Sequence, residues 1–437
     1  MITRLAESFI RFGSFEIFKP TDPYTGRAGS SANISNKVEM LHTMLRYVIE
    51  TFYPTIYEQY SSTDTAASLP LPMIIAWYGE VVRRTARLVS RWMSVAWTHA
   101  VLNTDNMSIV GITIDYGPFG FMEKFDYQHT PNASDESSRY CYSAQPEICK
   151  WNCLKLAEAI SLAAPLEQLI EVLEQTYDAT YSTEHTKLFR AKLGLIGSEL
   201  QSDAQLISSL LDTMQETSAD FTNTFRALAR VQADAASDID DGVLDYIVSQ
   251  CATLTARQQS LQSKLHPSQL QTLAALIKTQ PDFINQMGAN AGLITTELDK
   301  MHKRQHLAAL TQPQLEQQNR THWAMWLTQY RQRLTADLQY TVAQQSMSAQ
   351  QHTEQRIRTQ NSHNPRYVMR NYLAQRAIDA AEKDDYREAH NLFRVLTDPY
   401  DMQQSDGAHS ETQASAACLI NNKYNQPGVE FQCSCSS

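Results

Sequence analysis

The chain has 437 residues, of which 43% are hydrophobic and 19% charged, and carries a net charge of −10. Such a chain has material for one large domain or two to three smaller ones, and its acidic balance argues against a nucleic-acid binder, which would show a basic stripe. No apolar run approaches bilayer length; the richest, Leu69 to Trp77, is interrupted by Pro70 and Pro72.

The chain opens, without a secretory leader, on an apolar and aromatic stretch, Ile2 to Phe18, that reads as the interior of a domain. Arg4 and Arg11 stand out in it, seven apart with a turn between them. Arginine presents a planar fork of donors that matches phosphate oxygens, so both side chains could serve one anionic pocket. The alternative is two solvated surface arginines. Lys19 to Asn36 is rich in Pro, Gly, Ser and Asn and reads as a loop. Ser35 caps an expected helix to about Thr51, with Val38, Leu41, Leu45 and Val48 on its apolar face. After a second loop over Ser61 to Pro72, a longer helix is expected from Met73 to Val101. Trp77, Val81, Ala86 and Trp92 lie on one side of it, and Arg83, Arg84, Arg87 and Arg91 read as solvated.

That helix delivers His99 into a polar turn, Asn103-Thr104-Asp105-Asn106. Met107 to Ile114 follows as a run of alternating and β-branched apolar residues, a short strand or hairpin. Asp115 then sits on a Tyr-Gly-Pro turn. An extended segment of this length would bring Asp105, Asn106 and Asp115 to one lip of a cleft. Carboxylate and amide oxygens without Cys or His suit a hard cation such as Mg²⁺, which takes one or two protein oxygens and completes its shell with water and phosphate. Protein kinases hold Mg²⁺ with an Asn that follows the catalytic Asp and with the Asp of Asp-Phe-Gly. Asp115-Tyr116-Gly117 resembles the latter, and His99 to Asn106 a rearranged catalytic loop. The bland reading of the same residues is a polar turn, a buried strand and an Asx-Gly turn.

Beyond a polar loop at Asp126 to Ser138 nearly everything reads as helix, with candidates at 146–164, 166–179, 181–196, 203–216, 218–231, 239–264, 267–279, 294–309, 313–346 and 365–396. Cys149 and Cys153 lie four apart on the first of these and read as packed thiols, since no second pair or histidine completes a zinc set. His302 and His306 lack a third ligand and read as surface residues. Gln-rich patches at 312–318 and 343–361 suggest the ends of a long helix and a mobile connection. From about Gln403 the chain is rich in Ser, Gln and Asn and ends Cys433-Ser434-Cys435-Ser436-Ser437, two thiols open to oxidation.

The segment THAVLNTDNMSIVGITIDYGPFGFMEKFD, beginning at Thr98, closely resembles the signature of the selenoprotein O family, with Ala100 where the family usually has Gly. So do TRLAESFIRFGSFEIF at 3–18, SRYCYSAQPEICKWNCLKLAEA at 138–159, SADFTNTFRAL at 218–228, THWAMWLTQYRQRL at 321–334 and NPRYVMRNYLAQRAIDAAEKDDY at 364–386. The resemblance implies a mainly α chain with a small β segment, the large lobe of a protein-kinase-like fold. The N-lobe would be mostly absent, since no Gly-x-Gly-x-x-Gly occurs. Residues 1–18 would be the remnant of the interlobe, nucleotide-binding segment. Residues 19–402 would form the helical lobe, with the metal site at 98–120, and 403–437 a flexible tail.

The implied activity is that of a protein adenylyltransferase, which moves AMP from ATP onto Ser, Thr or Tyr hydroxyls of proteins with Mg²⁺, without nucleic acid or membrane partners. Carried onto this sequence, Asp105 is the catalytic base, Asn106 and Asp115 hold the metal, and Arg4, Arg11 and Asp115 face the nucleotide. His99 would be structural, binding backbone near the metal Asp. Cys435 stands where animal members place selenocysteine, so Cys433 and Cys435 form a candidate redox pair. The same resemblance implies a mitochondrial location and, through KPTDPYTGRAG at 19–29, a eukaryotic source. The rival expectation is a catalytically inactive binding or redox module acting through the two terminal cysteines.

Overall fold

The structure is a computed structural model that describes residues 4–21, 25–61, 68–233, 241–263, 265–280, 291–400, 424–426 and 428. Its helices are α1 (Lys37–Phe52), α2 (Pro54–Tyr60), α3 (Leu71–Ser94), α4 (Gln145–Ile160), α5 (Leu166–Leu193), α6 (Ser202–Thr217), α7 (Phe221–Ala227), α8 (Asp241–Ser249), α9 (Leu254–Ser260), α10 (Pro267–Thr279), α11 (Ala291–Ala308), α12 (Gln312–Gln345), α13 (Ala349–His363), α14 (Asn371–Ala381) and α15 (Arg387–Thr397). Among the described residues the one sheet is a pair of two-residue strands, β1 (Trp97–Thr98) and β2 (Gly120–Phe121). They are antiparallel, with Trp97 opposite Phe121 and Thr98 opposite Gly120. The chain is therefore mainly α with a small β segment, and among the described residues no helix is long and apolar enough to cross a membrane.

Helix α3 is the axis of the core. Met73, Ile74, Trp77, Tyr78, Val81, Val82, Ala86 and Val89 recur at three- and four-residue spacing and are buried, so the helix is wetted along only one side. It packs chiefly on α5, with α4 and β1 alongside. A short 3-10 helix, Phe12–Phe18, inserts Phe12, Phe15 and Phe18 into the same core and leans on α4. Phe15 meets Trp77 with ring centroids 5.8 Å apart. Cys149 and Cys153 are fully buried on α4, as packed thiols should be, and burial raises both thiol pKa values.

Several expected boundaries shift. The helix expected to run to Val101 stops at Ser94, because Ala96 takes a positive φ of 53° and turns the chain into β1. Positions 166–196, read as two helices, hold the continuous α5. The segment read as one helix over 365–396 is two, with Asp384 at a positive φ of 58° between them; 239–264 likewise divides into α8 and α9. The Gln-rich stretch at 343–361, expected as a mobile connection, contains α13, whose His352, Arg356 and Gln360 are buried. Arg356 donates to the carbonyl of Val231 at 2.9 Å and to Gln360 Oε1 at 2.8 Å, and Gln360 donates to the Tyr330 hydroxyl at 3.1 Å. Polar side chains that look like a solvated face are here the inner face, each with a partner, as burial demands. Arg83 and Arg84, expected free in solvent, both pair with Glu80, and Arg87 pairs with Glu184.

Two carboxylates organise the packing of α5, α6, α12 and α13. Asp203 accepts from Arg190 and from Arg333 Nε at 2.6 Å. Asp337 accepts from Arg333 at 3.1 Å, from the backbone of Ile196 and Gly197, and faces His352 Nε2 at 3.2 Å. A smaller apolar cluster joins α14, α15 and Tyr424, with Tyr367, Leu373, Leu392 and Val395.

Candidate active site

The residues around 98–120 are held from three sides. Below, Trp97 and Thr98 pair with β2, and His99 N–H donates to Gln145 Oε1 at 2.9 Å. His99 lies beyond the end of α3, not on it, and is buried; its Nε2 faces the carbonyl of Ile114 at 3.0 Å. Burial pushes the imidazole pKa below its usual value, against the pull of the Ile114 carbonyl and the Asp115 charge. The ring is therefore neutral near pH 7 and donates to that carbonyl. It serves as a structural tie.

The polar turn is a single turn of 3-10 helix, Thr104–Asn106, capped by Asn103, whose Oδ1 accepts from Asp105 N–H at 3.1 Å. This is the Asx capping habit, and it explains why Asn stands first in the run. Asn106 is buried, and its Nδ2 donates to the carbonyl of Val101 at 2.8 Å. That bond fixes which end of the amide is which and leaves Oδ1, the end a hard cation prefers, on the opposite side.

Met107 to Ile114, expected as a strand or hairpin, is a tight turn closed by one antiparallel bridge between Met107 and Thr113. Gly111 sits at its tip with φ +74°; a Cβ there would come within 2.6 Å of Arg84 Cβ. The Tyr53 hydroxyl donates to the Ile109 carbonyl and holds the turn from the α1 side. Bridging Met107 to Thr113 sends the preceding Asp105-Asn106 and the following Ile114-Asp115 away from the same end of the turn. Asp115 is exposed and adopts φ +58°, with Gly117 N–H donating to its carbonyl at 2.9 Å. Asp is one of the few side chains that tolerate this conformation.

The N-terminal segment forms the remaining wall. Phe12 N–H donates to Met107 O at 2.8 Å and Ile109 N–H to Ile10 O at 3.3 Å, around an Arg11–Ser108 bridge. Arg11 Nη1 donates to the Asp105 carbonyl at 2.7 Å. Arg4 donates to the Thr113 carbonyl, and its guanidinium lies 5.0 Å from the centre of the exposed Tyr116 ring. Arg11 thus holds the segment that leads into the Met107–Thr113 bridge, at Asp105, and Arg4 the segment that leaves it, at Thr113 and Tyr116.

Among the described residues no group of three or more His, Cys, Asp or Glu side chains is placed to hold a metal. A site built from Asp115, the Asn106 amide and phosphate oxygens needs none, and hard oxygen donors fit Mg²⁺. His302 and His306 are exposed. Cys433 and Cys435 lie outside the described residues. Sequence reasoning missed Glu16, which accepts from Thr104 Oγ1 at 2.7 Å, and Gln145, which receives His99. The acidic residue in the FGSFE run was the one available signal for the first.

The family model described as Protein adenylyltransferase SelO matches residues 1–397, and the chain belongs to that family. It is 40% identical over 417 residues to the human protein named Protein adenylyltransferase SelO, mitochondrial, covering 95% of this chain and 60% of that one. The mouse protein of the same name is 40% identical over 415 residues, covering 95% and 59%. A Nitrosospira multiformis protein, Protein nucleotidyltransferase YdiU, is 31% identical over 442 residues, covering 100% and 63%. The chain spans about 60% of the length of the curated relatives it matches.

Proposed function

We propose that this chain carries the metal–nucleotide half of a protein adenylyltransferase of protein-kinase-like fold. It would transfer AMP from ATP to Ser, Thr or Tyr hydroxyls of protein substrates. The observation that supports the reading is the Met107–Thr113 bridge, which pairs the residue after Asn106 with one two before Asp115, with Arg11 on the Asp105 carbonyl and Arg4 on the Thr113 carbonyl. Asn106 and Asp115 would hold Mg²⁺, which neutralises phosphate charge when bound. Asp105 would accept the proton of the attacking hydroxyl. That oxygen bonds to the α-phosphorus, the bond to the bridging oxygen beyond it breaks, and pyrophosphate leaves. Each guanidinium has five N–H donors and spends one on a backbone carbonyl among the described residues, so Arg4 and Arg11 would turn others to the phosphates, the positioning and charge stabilisation that phosphoryl chemistry depends on. The names of the human and mouse relatives support a mitochondrial location for this chain as well.

Mass spectrometry of candidate substrate proteins incubated with the chain, Mg²⁺ and ATP tests the proposal. An added AMP on a hydroxyl side chain supports it. An added phosphate would assign an ordinary kinase instead. An absence of any ATP-dependent change would favour a non-catalytic module acting through Cys433 and Cys435.

A further inference from the structure

We infer that Gly13 is a positioning residue for Asp105; the inference rests on the reading of Asp105 as the base. A side chain begun at Gly13 would place its Cβ 2.0 Å from Asp105 Oδ1, 3.1 Å from its Cγ and 3.5 Å from its Cα. The carboxylate therefore lies in the space that the missing Cβ leaves. Backbone conformation does not demand glycine there, because Gly13 is not among the glycines with positive φ. The requirement comes from the side chain opposite.

The surrounding bonds prevent the two segments from easing apart. Phe12 N–H is bonded to Met107 O at 2.8 Å on one side of Gly13, and Glu16 accepts from Thr104 at 2.7 Å on the other. Arg11 holds the Asp105 carbonyl, and Asn103 holds its N–H. With the backbone of Asp105 fixed at both ends and Phe12 and Phe15 buried in the core, an added methyl has one outlet. It rotates the Asp105 carboxylate away. A displacement of about 1 Å in a reacting group can lower a rate by about a hundredfold without touching ground-state binding. Glu16 belongs to the same arrangement, orienting Thr104 one residue before Asp105.

The test is a thermodynamic cycle on the full chain with Gly13→Ala, Asp105→Ala and the double variant, followed by thermal unfolding. Gly13→Ala is expected to lower Tm slightly in the parent chain, by the cost of turning the exposed carboxylate aside, and to have less effect once Asp105 is Ala. An equal loss in both backgrounds overturns the inference, as does failure of both Gly13→Ala chains to fold. If only the double variant folds, the inference stands. The rate measurement is separate: AMP transfer by Gly13→Ala should show kcat lowered by about a hundredfold with KM for Mg²⁺-ATP nearly unchanged. An unchanged kcat in an active chain overturns the inference. A parent chain without AMP transfer removes the proposed activity, while the cycle still decides whether Gly13 seats Asp105.

Discussion

His99 Nε2 lies 3.0 Å from the carbonyl oxygen of Ile114, the residue immediately before Asp115. One buried imidazole thus ties the strand leading into the Asp105 turn to the turn that carries Asp115. Replacing it by a ring of similar shape, His99→Phe, keeps the packing against Trp92 and Trp97 but strands the buried Ile114 carbonyl, at a cost of about 1–3 kcal/mol. Denaturant unfolding should show that loss. An unchanged midpoint would mean the bond contributes nothing.

The same residue predicts an acid response. Burial holds the folded pKa of His99 below the usual value and brings His185 down to about 4. A histidine kept neutral in the folded chain takes its proton on unfolding, so the unfolded chain binds more protons just below the ordinary histidine range. The contribution of these two histidines should be fully present above about pH 6.5 and be lost as the pH drops from there. Tm measured across that range should fall less steeply in His99→Phe than in the parent chain.

Lys192 makes the opposite end of the pH scale informative. Its ammonium is buried, 4.3 Å from the centre of the Phe225 ring and 5.2 Å from that of Phe221, and donates to the His363 carbonyl at 3.3 Å. Burial brings its pKa down to about 7 from 10.5. Between those values the unfolded chain again holds more protons, so stability should rise with pH from about 7. Lys192→Met should remove that rise and raise Tm most at the acid end, where the buried charge is still present. A parallel pH dependence in the variant would refute the assignment.

Arg370 spans two buried carboxylates, donating to Glu123 at 2.8 Å and to Asp220 at 2.7 Å. Asp220 also caps α7, and Glu123 stands two residues after β2. Arg370→Met leaves both acids buried without their cation and should cost about 3–5 kcal/mol. A loss below 1 kcal/mol by chemical denaturation would mean that water reaches the pair.

Asp115→Ala should abolish Mg²⁺-dependent ATP binding; because the Asp115 side chain is exposed, the fall in stability should stay near the roughly 1–2 kcal/mol that Ala costs at this positive φ. Isothermal calorimetry with and without Mg²⁺ measures it. Undiminished binding would reject Asp115 as a ligand.

The two turns of the candidate site are legible in the sequence because their polar residues lie close together along the chain. Asn103 to Asn106 and Asp115 are separated only by one short apolar run, and turn chemistry alone marks both ends of it. What opposes them was not legible. Gly13 and Glu16 reach the Asp105 turn from 92 and 88 residues away, and no local pattern announces such a meeting. Helix existence followed from periodicity, but helix ends did not: Ala96, Asp384 and Ser346 stop or divide helices by taking positive φ, which none of these residues advertises strongly. The inner face of α13 was misread because His352, Arg356 and Gln360 look solvent-facing until Asp337, Tyr330 and the Val231 carbonyl are in place to receive them.

Gly428 N–H donates to Glu123 Oε2 at 2.9 Å across a sequence separation of 305, while Arg11 reaches Asp105 across 94. The stretch from Asp105 to Glu123 is therefore held both by a residue 94 positions before it and by one 305 positions after it. A ribosome must deliver Gly428 before the stretch around Glu123 acquires its full set of bonds, and closing loops of that span is entropically slow. The Asp105 and Asp115 turns take their own bonds from residues made no later than they are, so the late closure falls on the buried Glu123 beside β2 and on its partner Arg370, and the two turns can be set before the last helices arrive.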